Sequence, residues 1–546
     1  MTFGEDIDSF INYCSLINES SSFYFHNLKF DGEFIIHYLL THGFVHVNEK
    51  KLGVNQFSTI ISDLNVFYCI KVKFKEEVII SFFDSLKLLN FSVEEVAKAF
   101  NLPIKKLEID YKAKREKGHK ITDEEKEYLK HDVMIMSLAL EKMFEMKITR
   151  MTIASNAMNF FKDTISKKRF EEWFKPPLYD KDLRQAYKGG FTYLNEIYRG
   201  KEVKEGIVLD VNSLYPSVMY YSPMPYGEGI YFDGKYVPDK LYNLYIQNIT
   251  CQFRIKKDMI PTIQIKNNLS FVPTEYLSSS NGESINLTLT NVDLKLFLEH
   301  YDIYDVSYNW GWKYKSSTKI FKSYIDYWNE LKVKATKEGN KPLRTIAKLM
   351  LNSLYGKFAA SPEGRSKIPY LDNNIVKYKL SELEERTAYY LPISIFITSW
   401  ARDKTIRSAQ AVYHRFIYAD TDSLHLEGTD IPENLLISDT ELGKWKIEST
   451  FKRGKYLRQK CYIEDAVTPV DEIEKFEKEN PECLHLVSKD SIINIVCAGM
   501  PKGCYKNVTW ENFDYGSVFD GKLGVKHTDG GIVLVDTTFT IKVDKK

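Results

Sequence analysis

Two aspartates one residue apart, Asp420 and Asp422, are the residues of this chain best suited to carry chemistry. Apolar residues flank Asp-Thr-Asp on both sides within residues 416–426, and this pattern predicts a β-hairpin with the acids at its bend. Because side chains alternate along a strand, we expect both carboxylates to point the same way. Neighbouring carboxylates repel each other unless a cation neutralises them, and Mg²⁺ prefers such oxygen ligands. A polar turn with solvated acids has the same short pattern, so other motifs must decide between the two interpretations.

A third aspartate and a cationic helix accompany this hairpin. Residues 207–210 read as an apolar strand that ends in Asp210, and Pro216 stops the turn that follows it. Residues 344–358 predict a helix that ends at Gly356. Four polar residues of this helix are spaced so that they lie near one face, while its apolar residues fall elsewhere: Arg344, Lys348, Asn352 and Tyr355.

The order of these three elements resembles motifs A, B and C of the family B DNA polymerases. Tyr187-Lys-Gly-Gly190, Lys460-Cys-Tyr462 and the long segment 226–320 are similar to the protein-primed phage polymerases of the phi29 type. The resemblance runs from about residue 20 to the C-terminus. Several motifs in one fixed order are far more specific than any one of them.

The resemblance implies an α+β multidomain fold, namely a right-hand polymerase with palm, fingers and thumb, two family insertions and an N-terminal RNase H-like 3′-5′ exonuclease domain. The expected divisions are an exonuclease-like domain (1–150), a first palm segment (151–225), a first insertion with the terminal-protein contact (226–320), fingers (321–360), a second insertion for strand displacement and processivity (361–388), a second palm segment (389–497) and a thumb (498–546). Composition alone indicates that residues 361–388 form a polar, projecting loop.

The family also implies a role for individual residues in nucleotidyl transfer, which depends on positioning and charge neutralisation. The implied catalytic residues, which with the Val211 carbonyl would bind two Mg²⁺ ions (Mn²⁺ can substitute), are Asp210, Asp420 and Asp422. Those implied to bind the nucleotide are Tyr215, as a steric gate under the sugar, with Lys332, Lys348, Asn352 and Tyr355. Those implied to contact DNA are Tyr187, Gly189, Gly190, Ser213, Ser353, Gly356, Thr421, Lys460, Tyr462, Asn27, Ser85 and Leu86. Lys460 and Tyr462 are spaced to share one face of a strand.

The N-terminal domain carries an incomplete set of nuclease residues. Asn27 and Asp31 match the second exonuclease motif of the family, Tyr128 and Asp132 match the third, and Lys106 matches a lysine that assists that chemistry. The first motif, an Asp-x-Glu on a strand, does not occur in residues 1–30. We therefore expect a domain truncated at its edge by a misplaced start codon, and a chain that does not proofread as written. The basic loop 105–120 could touch DNA phosphates or be simply solvated.

Composition limits the class of protein without naming its ligand. The net charge of +1 does not by itself indicate a nucleic-acid binder, so any basic track must come from local arrangement. Seven scattered cysteines without a Cys-x-x-Cys pair favour reduced thiols. No apolar run approaches the roughly 20 residues of a membrane helix. We expect a monomeric enzyme in the cytoplasm of an infected bacterial host, with template-primer DNA, dNTPs and a terminal protein as partners.

Three other interpretations stay open at this point. The chain could be a catalytically inactive DNA-binding relic, although a relic has no physical need of Asp210, Asp420, Asp422, Lys348 and Tyr215 together. It could be a nuclease that uses the N-terminal domain, which the missing Asp-x-Glu argues against. It could also be a polymerase that extends only ordinary DNA or RNA 3′ ends.

Overall fold

The structure is a computed structural model, and it describes residues 2–48, 51–110, 115, 118–264 and 275–542. Its chain forms helices and sheets in two compact units, which confirms the expected mixed, multidomain architecture. The first unit comprises Met1–Ile165, Asp326–Ala388 and Gly524–Val535, and the second comprises Ser166–Ile325, Tyr389–Leu523 and Asp536–Lys546. Three lysines of the basic loop (Lys112, Lys114 and Lys117) and a stretch of the first insertion (265–274) lie outside the described residues.

The helices, in chain order, are α1 (Ile7–Leu16), α2 (Leu28–Thr41), α3 (Val93–Ala99), α4 (Asp123–Glu145), α5 (Ile153–Ile165), α6 (Lys167–Trp173), α7 (Asp180–Arg184), α8 (Leu214–Tyr221), α9 (Asn291–His300), α10 (Lys322–Lys337), α11 (Lys341–Phe358), α12 (Pro392–Ala411) and α13 (Val470–Glu479). The strands are β1 (Ser21–Phe25), β2 (Val45–His46), β3 (Gln56–Ile61), β4 (Phe67–Lys75), β5 (Val78–Asp84), β6 (Thr192–Leu194), β7 (Glu202–Val203), β8 (Gly206–Val211), β9 (Met224–Asp233), β10 (Leu244–Ile255), β11 (Ile263–Gln264), β12 (Tyr276–Leu277), β13 (Ile285–Thr290), β14 (Tyr301–Ser317), β15 (Glu363–Gly364), β16 (Lys367–Asp372), β17 (Ile375–Leu380), β18 (Glu384–Glu385), β19 (Phe416–Asp420), β20 (Ser423–Glu427), β21 (Trp445–Arg458), β22 (Cys461–Val467), β23 (Ser491–Cys497), β24 (Val518–Thr528) and β25 (Gly531–Thr540).

The first unit is built on a five-stranded sheet with the order β1-β5-β4-β3-β2. Helix α2 buries one apolar face against this sheet, and Val376 of the β16–β17 hairpin belongs to the same core. Residues 361–388 are therefore not a projecting polar loop, as their composition indicated. Side chains alternate along β17, so Val376 and Tyr378 project from one face of the strand and the neighbouring lysines project from the other. The Tyr378 hydroxyl donates a hydrogen bond to the Glu33 carboxylate on α2 at 2.8 Å.

The second unit centres on an eight-stranded sheet that runs β23-β22-β21-β8-β20-β19-β6, with β7 also paired to β21. Helix α12 packs against β19, β20 and α8, and it is buried on nearly every side through its first half. A helix that is apolar all round is expected in such a position. Segment 226–320 adds a four-stranded antiparallel sheet with the order β13-β10-β14-β9, and helix α9.

Two predicted boundaries are wrong for reasons of backbone chemistry. Pro216 does not stop a turn but lies in the first turn of α8, where its missing N–H group has no partner to lose. Gly356 does not end the cationic helix, because α11 continues to Phe358 and its C-cap is Ala359. The backbone of Gly356 is helical, so the presence of a glycine at this position wrongly predicted the end of the helix.

The remaining global features agree with the sequence. All seven cysteines are free and buried. Among the described residues, no helix combines the length and the apolar character that crossing a membrane requires.

Candidate active site

A row of polar side chains crosses five neighbouring strands of the second unit. Thr192 on β6 pairs with Asp420 on β19, Asp420 with Ser423 on β20, Ser423 with Asp210 on β8, and Asp210 with Lys446 on β21. Register partners in antiparallel strands project from the same face of a sheet. The backbone ladder itself therefore aligns these five side chains, and all of them are half-buried.

The turn of the β19–β20 hairpin is tied down on two sides. Thr421 has a left-handed backbone with φ +62°. Its N–H donates to the carbonyl of Phe191 at 2.6 Å, and its own carbonyl accepts from the Thr405 hydroxyl at 2.7 Å. A Cβ on Gly190 would lie 2.7 Å from the Thr421 hydroxyl oxygen, so the close approach of these two residues explains that glycine.

Asp422 lies in this turn and is bound to the strand that carries Asp210. The Val211 N–H donates to the Asp422 carbonyl at 2.8 Å, and the Asp422 N–H donates to the Asp420 carbonyl at 2.7 Å. Burial raises the pKa of Asp422 to about 6, and the negative charge of Asp210 adds to the shift. Asp422 and Asp210 are thus close enough to repel, which is the donor chemistry that a divalent cation fits.

The alternation of side chains along a strand does not hold at this turn, contrary to the prediction. Asp420 ends β19, whereas Asp422 follows the left-handed Thr421 outside either strand, so the two-residue period does not extend to it. Among the described residues, no group of three or more His, Cys, Asp or Glu side chains is arranged to hold one metal ion. Asp210 and Asp422 form the pair, while Asp420 is engaged by donors of the protein.

Two lysines accompany the carboxylates. Lys460 Nζ lies 3.1 Å from Asp420 Oδ2, and the Thr192 hydroxyl donates to Asp420 Oδ1 at 3.0 Å. Lys446 Nζ lies 2.9 Å from Asp210 Oδ2. Lys446 was not among the predicted site residues. Its position near the start of the strand 445–458 was the feature of the sequence that could have indicated it.

Lys460 and Tyr462 do not share a strand face in the way their spacing indicated. Lys460 lies in the turn between β21 and β22 with φ +53°, and its N–H donates to the Tyr418 hydroxyl at 3.1 Å. Tyr462 is on β22 and is 9% exposed, with its ring 5.2 Å from those of Tyr418 and Tyr456. Tyr462 is therefore a packing residue beneath the hairpin, while Lys460 reaches the carboxylate.

A buried polar contact lies below the same hairpin and was not predicted either. His425 on β20 and Glu464 on β22 approach to 2.6 Å between Nδ1 and Oε1, and both side chains are almost completely buried. The Tyr456 hydroxyl donates to the same Glu464 oxygen. The rings of Tyr418 and Tyr462 cover His425, so this network supports the hairpin from behind.

The Tyr187–Gly190 loop is held by a residue that sequence reasoning did not single out. Arg402 on α12 donates from Nη1 to the carbonyls of Lys188 and Gly189, at 3.0 and 2.8 Å. Its Nε and Nη2 bind Asp293 on α9 in a bidentate pair, at 3.1 and 2.7 Å. Asp293 and Arg402 are 109 positions apart in the sequence, so no local pattern indicates this pair.

Two predicted residues lie at the start of α8, directly after the Asp210 strand. Ser213 precedes the helix with a left-handed backbone, φ +55°, and Tyr215 lies half-buried in the first turn. The short connection from β8 to α8 therefore places Tyr215 within five residues of Asp210.

Helix α11, in the first unit, has the predicted amphipathic arrangement. Arg344, Lys348, Asn352 and Gly356 are exposed along one face, whereas Ile346, Met350 and Leu354 are buried on another. Ser353 and Tyr355 are half-buried beside that exposed face, and Lys332 on α10 is half-buried as well. The structure thus confirms the cationic face, within a unit separate from the three aspartates.

The nuclease-like residues form a contact cluster in the first unit. Lys106 Nζ donates to Asp132 at 2.7 Å and to the Tyr128 hydroxyl at 2.9 Å. The second carboxylate oxygen of Asp132 is buried and has no hydrogen-bond partner among the described residues. Asp31, in the first turn of α2, has its pKa raised to about 6 by burial, with a smaller contribution from the charge of Asp84.

Asp84, which sequence reasoning missed, organises the neighbouring backbone. One of its carboxylate oxygens accepts the N–H groups of Asn27 and Leu86, at 3.1 and 3.0 Å. Asn27 has a left-handed backbone, φ +78°, and Ser85 is buried beside it. The predicted residues Asn27 and Leu86 therefore meet at one carboxylate, and the hydroxyl of the predicted Ser85 donates to the Phe25 carbonyl at 2.9 Å.

Comparisons with known proteins agree on one family. The sequence matches the family described as DNA polymerase type B, organellar and viral, over residues 12–119 and 112–440. It is 46% identical to the DNA polymerase of Bacillus phage Nf over 550 residues, which cover 99% of this chain and 94% of that protein. The DNA polymerase of Bacillus phage phi29 is 45% identical over 553 residues, with 99% and 93% covered. A solved phi29 DNA polymerase complexed with primer-template DNA and incoming nucleotide substrates matches with a TM-score of 0.89 and 43% identity, over 99% of this chain and 94% of that chain.

Proposed function

Because the chain belongs to the type B DNA polymerases of organelles and viruses, we propose that it extends DNA by metal-assisted nucleotidyl transfer at Asp210 and Asp422. It is a DNA-directed DNA polymerase, in agreement with the resemblance found in its motifs. The observation that carries the proposed site is the hydrogen bond from Val211 to Asp422, together with the pKa of Asp422 that Asp210 helps to raise. Backbone bonding holds the two carboxylates side by side, where their charges favour a cation.

The oxygen donors at this point would suit Mg²⁺, the ion that the sequence predicts. Asp210, Asp422 and the Val211 carbonyl would supply the oxygen ligands, and Asp420 would support them from its own hydrogen bonds. Charge neutralisation at the triphosphate and at the attacking primer hydroxyl is the chemistry that bound Mg²⁺ supplies. Mn²⁺ would be accepted by the same oxygens.

The other polar residues would bind and orient the substrates. Lys332 and Lys348 would hold the triphosphate as point charges, and Asn352 and Tyr355 would shape the pocket of the nascent base pair. Tyr215 would lie under the sugar and exclude a 2′-hydroxyl. Contacts to DNA are proposed for Tyr187, Gly189, Gly190, Ser213, Ser353, Gly356, Thr421 and Lys460, and Tyr462 would act through the packing beneath Tyr418.

We further propose that synthesis starts on a protein hydroxyl, with a terminal protein as the partner and the cytoplasm of an infected bacterium as the place. Support comes from the similarity to phage polymerases over 99% of this chain. Segments 226–320 and 361–388, which resemble the insertions of the protein-primed type, are consistent with the same proposal. Incubating the chain with the terminal protein of the same genome and one labelled nucleotide tests this step. A covalent nucleotide–protein adduct is expected, whereas extension of DNA primers without any adduct would favour ordinary 3′ ends.

We propose separately that the chain as given does not proofread efficiently, because its residues 1–30 contain no Asp-x-Glu to join Asp31 and Asp132. The deciding experiment places the chain on a primed template with Mg²⁺, with and without dNTPs, and follows the primer length. We expect extension with dNTPs and no shortening without them. Shortening that Asp132→Asn removes would overturn the exclusion, and the absence of extension would favour the inactive DNA-binding relic.

A further inference from the structure

We propose that Lys446 is a built-in counter-ion of Asp210, which a divalent cation must displace and which thereby sets the metal concentration that the enzyme requires. This inference rests on the proposed role of Asp210 as a metal ligand. It assigns a function in metal binding to a residue of β21 that lies outside motifs A, B and C.

The contact follows from the backbone and not from one side-chain conformation alone. Lys446 and Asp210 are register partners on the adjacent antiparallel strands β21 and β8, so both side chains project from the same face of the sheet. The Lys446 ammonium lies 2.9 Å from Asp210 Oδ2. The strand register therefore fixes the backbone of Lys446 beside Asp210, while the flexible stem of the lysine lets its ammonium approach or leave the carboxylate.

The negative charges around Asp210 explain how Lys446 would affect metal binding. Asp422 accepts a hydrogen bond at its backbone carbonyl from the N–H of Val211, the residue after Asp210, at 2.8 Å, so two negatively charged residues lie at neighbouring positions beside Lys446. Lys446 and Asp210 are 36% and 21% exposed at their side chains, so water screens their attraction less than on an open surface. The ammonium therefore relieves the repulsion before metal binds and opposes the arrival of a second positive charge.

The neighbouring ion pair serves a different carboxylate. Lys460 lies against Asp420, which also accepts from Thr192 and is held in place by these contacts. The counter-ion of Asp210 is Lys446 on β21, the last strand of the polar row, and the flexible stem of this lysine allows its ammonium to move away. Displacement of Lys446 is thus compatible with an otherwise rigid site.

Two other roles for Lys446 make different predictions. A permanent structural pair would leave metal affinity unchanged when the lysine is removed, because the second oxygen of Asp210 would serve the metal in either case. If Lys446 instead binds the triphosphate, its removal would raise the KM for dNTPs. Metal affinity in the absence of nucleotide would again be unchanged.

The experiment measures Mn²⁺ binding to the full chain without DNA or nucleotide, by electron paramagnetic resonance of free Mn²⁺. The variants are Lys446→Met, Lys446→Arg, and Lys444→Met as the matched control, since Lys444 is near in sequence but pairs with Glu441. We expect Lys446→Met to bind Mn²⁺ roughly fivefold more tightly, the order of one unit charge removed at close range in a hydrated site. Lys446→Arg and Lys444→Met should stay close to the parent protein.

A second readout follows from the same displacement. In the presence of a chelator, Lys446→Met should unfold at a lower temperature than the parent, and Mg²⁺ should raise its unfolding temperature by more. Unchanged or weaker Mn²⁺ binding by Lys446→Met would overturn the proposal. If Asp210→Asn also leaves Mn²⁺ binding unchanged, the proposed metal ligand is wrong as well, and the two failures are thereby distinguished.

Discussion

The two units of the chain each hold a lysine against an aspartate, yet they prepare these carboxylates differently. In the second unit, the turn residue Asp422 is hydrogen-bonded through its carbonyl to Val211 beside Asp210, and strand register aligns Lys446 with Asp210. In the first unit, Lys106 binds Asp132 on α4, while Asp31 lies on α2. Strand register places side chains at fixed spacing, whereas carboxylates on separate helices depend on how those helices pack.

The carboxylates of the two units also differ in their immediate partners. The second unit gathers two mutually repelling carboxylates, with a backbone carbonyl on the strand beside them. In the first unit the charge of Asp84 likewise helps to raise the pKa of Asp31, while Asp132 is bound by Lys106 through one oxygen and, among the described residues, has no hydrogen-bond partner at the other.

The largest effect is expected when one aspartate of each unit is neutralised and the two variants are compared. Asp422→Asn should lower nucleotide addition by at least about 10³-fold, because it removes a charge on which transition-state stabilisation depends. Asp132→Asn, the matched change in the first unit, should leave primer extension unchanged. Single-turnover extension on a primed template measures both, and DNA affinity should stay within about twofold. Rapid extension by Asp422→Asn would remove the proposed metal site.

A smaller effect concerns the cationic helix. Lys348→Met should raise the KM for dNTPs by roughly tenfold or more with little change in DNA affinity, since a charge-assisted contact contributes on the order of 1.5–3 kcal/mol. Lys341→Met is the control, because Lys341 is exposed at the start of the same helix, two turns away. Steady-state kinetics at saturating DNA distinguishes the two variants, and equal KM values would contradict the triphosphate role.

The paired glycines permit a finer test of the hairpin. Gly190→Ala should slow nucleotide addition roughly tenfold, because its Cβ would meet Thr421 at 2.7 Å and displace the turn between the two aspartates. Gly189→Ala adds a Cβ with nothing within 4 Å, so the maximal rate should persist. Pre-steady-state rates at saturating DNA decide the matter. Equal rates for both variants would show that the turn tolerates the displacement.

The smallest effect on activity is expected at Glu33. This carboxylate of the first unit affects the free energy of unfolding and its dependence on pH. Burial raises the pKa of Glu33 to about 7, although the hydrogen bond from Tyr378 acts in the opposite direction. A raised carboxyl pKa contributes stability that is present below the unfolded value near 4.5 and is lost as pH rises through about 7. Glu33→Gln keeps the acceptor for Tyr378 and cannot ionise.

Urea unfolding at pH 5 and pH 8 measures this difference. Glu33→Gln should match the parent at pH 5 and exceed its free energy of unfolding at pH 8, by up to about 3 kcal/mol for a shift of this size. Primer extension should remain unchanged at either pH. A constant difference between the two proteins across this range would contradict the assignment to Glu33 ionisation.

Local sequence patterns predicted most elements that carry the site. The period of α11 and the alternation of β19 and β20 depend on which side chains must be buried, and such patterns are readable without the fold. Errors arose where one residue departs from the period. Thr421 and Lys460 adopt left-handed backbones, so the strand patterns failed for Asp422 and for the Lys460–Tyr462 pair. Gly356 and Pro216 are compatible with helix at their positions, which their residue types alone did not reveal.

The sequence by itself determined the family and the polymerase activity, because motif order is preserved in the chain itself, and it singled out Asp210, Asp420 and Asp422 as candidates for the active site. Only the tertiary structure decided which residues stand beside them. Lys446 meets Asp210 across more than 200 residues, Arg402 meets Asp293 across 109, and Asp84 meets Asn27 across 57. These contacts result from strand register and helix packing between distant segments, and neither leaves a local signal in the order of residues.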